Sequence, residues 1–416
     1  MSRLRGLLAA LRPDLTPLKA SRDYRLLYTA SAVSLFGSMV TAVAAPLQLK
    51  ELTGSALAVG LLGAAELVPT VVLGLWGGAI ADALDRRRVL LLTEVAALVC
   101  SLLLAGNALL PHPTVALVYV AAAGAAGASA LQRPSAEAML ARLVPAEQQA
   151  AAATLIGLQG TAGMILGPAI GGVLAAASLP AAYLVDVASF AASLALLVRV
   201  APMRVVEGAE RVSLGSIAAG LRYALSRRDL LGTYLVDIAA MAFAMPEALF
   251  PFLADELHAP GALGLLYSAG AVGSLLVTAT GGWMSRVRRQ GRAIVLAAAG
   301  WGAAIALAGI APSLWLVLLC LLLAGAADGV SGVFRGAVWN RTVPDALRGR
   351  LAGIELLSYT TGPTLGNARA GLMAQLTGIR PAIALGGLLC TAAVTGVTLL
   401  LPAIWHTDTD REASPI

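Results

Sequence analysis

The sequence predicts an all-α integral membrane protein with twelve transmembrane helices, arranged as two six-helix halves related by pseudo-symmetry. Three observations predict it. The 416 residues have a mean hydropathy of +0.82, and only 12% are charged, where a soluble domain carries about 25%. Twelve apolar stretches follow one another, most near the ~20 residues that cross a hydrocarbon core. The second set of six repeats glycine and arginine landmarks of the first.

The stretches are 26–49, 56–80, 89–110, 115–131, 150–177, 182–198, 230–253, 263–284, 293–311, 314–333, 351–376 and 382–404. The fourth and tenth are short and are expected to run on toward the membrane interface. Before the first stretch, residues 1–24 form a basic segment. Its apolar piece, Leu7 to Leu11, is too short for a signal core and is followed by Arg12-Pro13, so no cleaved leader is expected. The halves are expected at 25–198 and 229–405, with a tail at 406–416. The basic linker 199–228 places Leu214, Ile217, Ala218, Leu221 and Leu225 on one helical face, which suits a helix lying on the membrane surface.

Charge sets the orientation. Of 29 Lys and Arg, 26 fall in the tails and in the connections after stretches 2, 4, 6, 8 and 10, or at the stretch ends beside them. The opposite loops hold Lys50 and Arg380, and Arg369 lies inside stretch 11. By the positive-inside rule both termini are cytoplasmic. The same placement removes nucleic acid as a partner, because the charge of +6 is spent in short membrane loops rather than on a basic face with aromatics.

The repeat is specific. Gly60, Gly77 and Gly78 recur as Gly264, Gly281 and Gly282, and Arg142 to Pro145 recurs as Arg341 to Pro344. Gly163, Gly167 and Gly172 recur as Gly362, Gly366 and Gly371. Two parallel repeats about an axis along the membrane normal put a binding site at the midplane between them.

Enzyme chemistry finds no support. Cys100, Cys320 and Cys390 lie singly in apolar stretches, and His112, His258 and His406 lie singly in loops or the tail. No metal spacing or nucleophile–base arrangement results. The two lysines, Lys19 and Lys50, belong to no phosphate-binding loop. No cofactor is expected.

Residues 163–172 read GMILGPAIGG. Gly163, Gly167 and Gly171 share one helix face, and a strip without side chains lets another helix come close in lipid. Pro168 removes a backbone donor and bends the helix. The pattern G-x-x-x-G-P-x-x-G-G resembles the fifth-helix antiporter motif of exporters in the major facilitator superfamily (MFS). Gly172 completes it, and Gly362, Pro363, Gly366 and Gly371 form the second-half counterpart. Residues 77–88, GGAIADALDRRR, resemble the superfamily's loop between helices 2 and 3. There Gly78 permits close approach, and Asp82 accepts from a helix N-terminus. Arg86 and Arg87 bridge Asp82, a partner helix end or lipid phosphate. The resemblance implies that this cluster locks the outward-facing state. Ala83 and Asp85 replace the usual basic residue and glycine, which implies a lock wired differently. In the counterpart, Arg286 stands in place of Asp82.

Together with Leu52 to Gly60, LTGSALAVG, these motifs make the chain similar to the enterobactin-exporter-like branch of bacterial MFS exporters. The resemblance implies the MFS fold in a monomer of the bacterial plasma membrane. It implies efflux of a small hydrophobic or amphipathic molecule (a siderophore, natural product or drug) by alternating access. It implies proton influx as the energy source, with protons, cargo and membrane lipids as partners. The rivals are an MFS importer and, in another class, an energy-independent lipid scramblase.

Charges inside the stretches are costly and mark function by default. Glu66, Asp237, Asp328 and Arg369 are the candidates for proton coupling and cargo binding. Glu66 lies roughly 15 Å below the outer start of its helix and Arg369 about 10 Å from the outer end of its own, at 1.5 Å per residue. Helix 2 lies beside helix 11 in the MFS fold, so the two are expected to form a pair that opens on protonation. Asp237 and Asp328 can hold a cationic part of the cargo or carry the proton. Glu94 and Glu355 read as either interfacial or functional charges, and Asp186 as an interfacial one. Arg133 and Arg335, at matching inner ends, read as snorkelling anchors or as anion-capturing residues.

Overall fold

The computed structural model describes residues 13–83, 85–202 and 222–407; within these, the side chains of 75–83, 138, 141 and 345–360 are not described. The described chain is built of helices. Helix is what lipid demands, since it satisfies every backbone donor and acceptor within one segment.

The first six long helices are α1 (Arg22–Thr53), α2 (Ala56–Ala83), α3 (Arg86–Leu109), α4 (Val115–Arg142), α5 (Gln149–Ala177) and α6 (Leu179–Leu197). α7 spans Arg228–Glu256. There follow α8 (Leu263–Ala279), α9 (Gln290–Ile310), α10 (Leu314–Thr342), α11 (Asp345–Thr377) and α12 (Ile379–Leu400). Among the described residues, eleven helices are long and apolar enough to cross a membrane by length and composition. α11 has 33 residues. As expected, α4 and α10 run on past their apolar stretches.

Polar caps and glycines set the ends. Ser21 accepts from the Tyr24 amide at 3.2 Å, and Asp85 accepts from the Arg87 amide at 2.8 Å, each covering an orphan donor of a first turn. Gly54, at φ +61, closes α1 in the left-handed region, where a side chain would be strained. Two interruptions depart from the sequence reading. α7 breaks after Ala244, where Met245-Pro246 leaves the helix before Glu247–Leu249 and Phe250–Glu256 resume it. α8 ends at Ala279 and gives way to a 3-10 segment, Gly281–Arg286. Pro246 lacks the amide needed to continue the ladder.

The helices pack in two equivalent sets. In the first, α1 lies on α5 and α6, α3 on α4 and α6, and α2 on α4. In the second, α7 lies on α11 and α12, α9 on α10 and α12, and α8 on α10. Each relation maps onto its counterpart by adding six to the helix number. Between the sets, α2 packs on α11 and α5 on α8, which the same operation exchanges. We call the end that carries the α1–α2, α5–α6, α7–α8 and α11–α12 turns the far end, and the opposite one the linker end. The expected linker helix face, apart from Leu225, lies outside the described residues.

Candidate functional site

The sets meet through glycine. A Cβ on Gly172 of α5 would sit 2.2 Å from the amide nitrogen of Gly264 on α8. On the other seam, a Cβ on Gly60 of α2 would sit 2.5 Å from the Asn367 carbonyl of α11, and one on Gly371 2.4 Å from the Ala56 carbonyl. Ser268 of α8 adds a hydrogen bond to the Ile165 carbonyl of α5, at 2.7 Å. At the far end, Lys50 of α1 donates to the Pro251 carbonyl of α7 at 2.9 Å and pairs with Asp255.

The antiporter motif therefore divides its labour. Gly163, Gly167 and Gly171 face α1 of their own set, against Leu35, Met39 and Val40. Of its glycines only Gly172 faces the other set, beside the backbone of Pro168 and Ala169 that Gly264 abuts. The counterpart repeats the division. Gly362 and Gly366 face Met241 and Met245 of α7, Gly371 faces α2, and Pro363 lies inside α11.

Beneath these contacts lies a cavity of about 310 Å³. Its wall includes Glu66 of α2, Asp186 and Phe190 of α6, Glu247 at the break in α7, Tyr267 of α8 and Asn367 of α11. Both sets thus supply carboxylates. Neither Glu66 nor Glu247 has an ion-pair partner among the described residues. The Tyr267 hydroxyl donates to the Glu247 carbonyl at 3.1 Å, and its ring meets Phe250 edge-on at 5.1 Å. Glu247 was missed by the sequence reading. The signal was a Pro-Glu pair inside an apolar stretch.

Asp186 departs from expectation. It is not interfacial but 2% exposed. Its carboxylate accepts from Thr41 and Ser101, each at 2.7 Å, and from Ser189 at 3.4 Å. A Cβ on Gly37 would strike Ser189 Oγ at 1.9 Å, so only glycine lets α1 approach the carboxylate. Glu94 is likewise fully buried and accepts from Gln132 of α4. The Glu355 side chain lies outside the described residues, as do those of Gly78 and Asp82. Arg87 donates to the Val198 carbonyl at 2.6 Å, at the end of α6, where a cation suits the last carbonyls.

The expected Glu66–Arg369 pair is not made. Arg369 turns into its own set, donating to Met373 Sδ at 2.9 Å and lying against Gly386 of α12. Gly63 faces Thr364 across the seam, which sets Glu66 a turn nearer the linker end than that contact and Arg369 more than a turn the other way. Asp237 and Asp328 are not free to receive cargo either. Arg335 pairs with buried Asp237 and lies 3.6 Å from Asp328. Arg335 is therefore a counter-ion, its side chain 11% exposed, while Arg133 makes an exposed pair with Glu137 on its own helix. No cluster of metal-ligating side chains occurs among the described residues.

The profile of the transmembrane secretion effectors, within the MFS, matches residues 13–414. The chain belongs to this family. The enterobactin exporter of Shigella boydii serotype 18 is 30% identical over 397 residues, covering 93% of each chain. Solved transporters share the fold. The nucleoside transporter NupG superposes with a TM-score of 0.72 at 14% identity, over 92% of this chain and 100% of that one. A bacterial homologue of the iron transporter ferroportin, in its inward-facing state, gives 0.68 at 16% identity, over 92% and 98%. This MFS protein is a multi-pass efflux transporter of the bacterial inner membrane that moves a small molecule, and not an enzyme.

Proposed function

We propose that this exporter moves a hydrophobic or amphipathic small molecule out of the bacterial cytoplasm by proton antiport, as a monomer with both termini cytoplasmic. The linker end then faces the cytoplasm. The carrying observation is the cavity shared by both sets and covered at its far side by the paired glycine contacts. Cargo enters from the linker end, the sets rock about these contacts, and the far end opens. A lone carboxylate inside a bilayer is costly as an anion. A proton at Glu66 or Glu247 removes that cost, as does a cation from the cargo. Asp237 and Asp328 hold Arg335 in place, and Arg369 anchors α11 to α12. Gly78, Asp82, Arg86 and Arg87 govern closure of the linker end. The enterobactin exporter's cargo makes a siderophore one candidate among natural products and drugs.

The test compares culture medium and cell extract by untargeted mass spectrometry, with and without the gene, in iron-rich and iron-poor media. The reading expects a compound retained by the deletion strain and released by wild type but not by Glu66→Gln. A compound left unconsumed in the medium instead would establish import and overturn it. Lipid flip in liposomes without a gradient would establish scrambling.

A further inference from the structure

Charge in the cavity is one-sided. Glu66 and Glu247 approach it from opposite sets, and Asp186 reaches it through its hydroxyl shell. No Lys, Arg or His stands among its described lining residues. The nearby cations are engaged elsewhere: Lys50 on Asp255, Arg335 on Asp237 and Asp328, and Arg369 within its own set. The rest of the wall is mostly apolar, with the rings of Phe190 and Tyr267, and its other polar side chains, Ser38, Thr41, Ser101, Ser129 and Asn367, are uncharged. A cleft with low-dielectric walls and charges of one sign concentrates ions of the other sign. Ring faces add attraction for a cation.

We propose that the cavity selects a cargo with one positive charge on an apolar body, its cationic centre seated between Glu66 and Glu247. This deepens the exporter reading and rests on it. An anion of the same shape meets unpaired carboxylates from both sets and no donor of positive charge. A single cation attracts both carboxylates, offsets one of their two charges, and joins α2 to α7 through one bound group.

The test uses two ions of matched shape, tetraphenylphosphonium and tetraphenylborate, with the full chain in lipid nanodiscs. Empty nanodiscs correct for partitioning. Equilibrium dialysis should find one tetraphenylphosphonium per chain, bound at least tenfold more tightly than tetraphenylborate. Glu66→Gln and Glu247→Gln should each weaken it at least tenfold, while Glu66→Asp, which keeps the charge, stays within about fivefold. Equal or tighter binding of tetraphenylborate overturns the proposal, and that comparison needs no variant to fold. Wild-type affinity in both glutamine variants overturns it too. The outcomes separate from those for export. If the deletion strain retains a neutral or anionic compound and tetraphenylphosphonium does not bind, the charge preference falls and export stands. If tetraphenylphosphonium binds and no compound is retained, export falls and the charge preference stands.

Discussion

Gly172 and Gly264 bring the backbones of α5 and α8 so close that a single methyl on either residue would strike the other helix, at 2.2 Å or 2.4 Å from a backbone atom. Gly60 and Gly371 do the same for α2 and α11. These four are the landmarks that the two halves of the sequence share. The repeat thus encodes the closure of the far end.

Gly172→Val should leave a folded, monodisperse protein that no longer closes at the far end. Efflux should fall at least ~10-fold while the unfolding midpoint stays near that of wild type, because only the seam is overfilled. Efflux in cells and unfolding in detergent measure the two effects.

Gly171→Val should do the reverse. A Cβ there would lie 2.8 Å from Val40 Cα inside one set, so the static packing suffers. A loss of about 1–3 kcal/mol is expected for overpacking, read as a lower unfolding midpoint. Equal effects of the two substitutions would deny the division of the motif.

Arg335→Leu should strand the Asp237 carboxylate, which is buried. Breaking a buried pair costs about 3 kcal/mol or more. Asp237→Asn combined with Arg335→Gln should regain most of that, since only Asp328, whose side chain is 38% exposed, is then left without its cation. A double variant no more stable than Arg335→Leu would show that the pair is incidental.

Much of this was legible in the sequence. Twelve helices and their repeat follow from hydropathy and glycine spacing, because a bilayer restricts the chain to helix, and the antiporter motif from its resemblance to MFS exporters. Azimuth was not legible. Counting residues from helix ends set Glu66 and Arg369 near one depth, whereas the Gly63–Thr364 contact puts them about two turns apart, and Arg369 points to α12. Asp237 and Arg335 were both singled out, yet their pairing is a matter of which faces α7 and α10 turn to each other. Asp186 lies far enough along α6 to be covered by α1 and α3, which its distance from the helix end alone does not reveal. Glu247 owes its place to the Pro246 break.

Lys50→Ala should favour opening of the far end. Its pair with Asp255 joins α1 to α7, but Asp255 is 56% exposed. An ion pair this wet contributes less than about 1 kcal/mol and the Lys50 bond to the Pro251 carbonyl about 1 kcal/mol more, so the open fraction should rise by at most about 30-fold. Labelling of a cysteine placed at Ser55 with a membrane-impermeant maleimide, in a background without Cys100, Cys320 and Cys390, measures it. No change would remove the pair from the gate.

The most direct test of rocking between two ends is a pair of spin-label distances in nanodiscs. One pair sits at the far end, at Ser55 and Gly261. The other sits toward the linker end, at Gly157 and Gly336, where an added side chain meets open space. Gly172→Val should lengthen the far-end distance and shorten the linker-end distance together. Two distances that stay fixed, or that move in the same direction, would contradict the account.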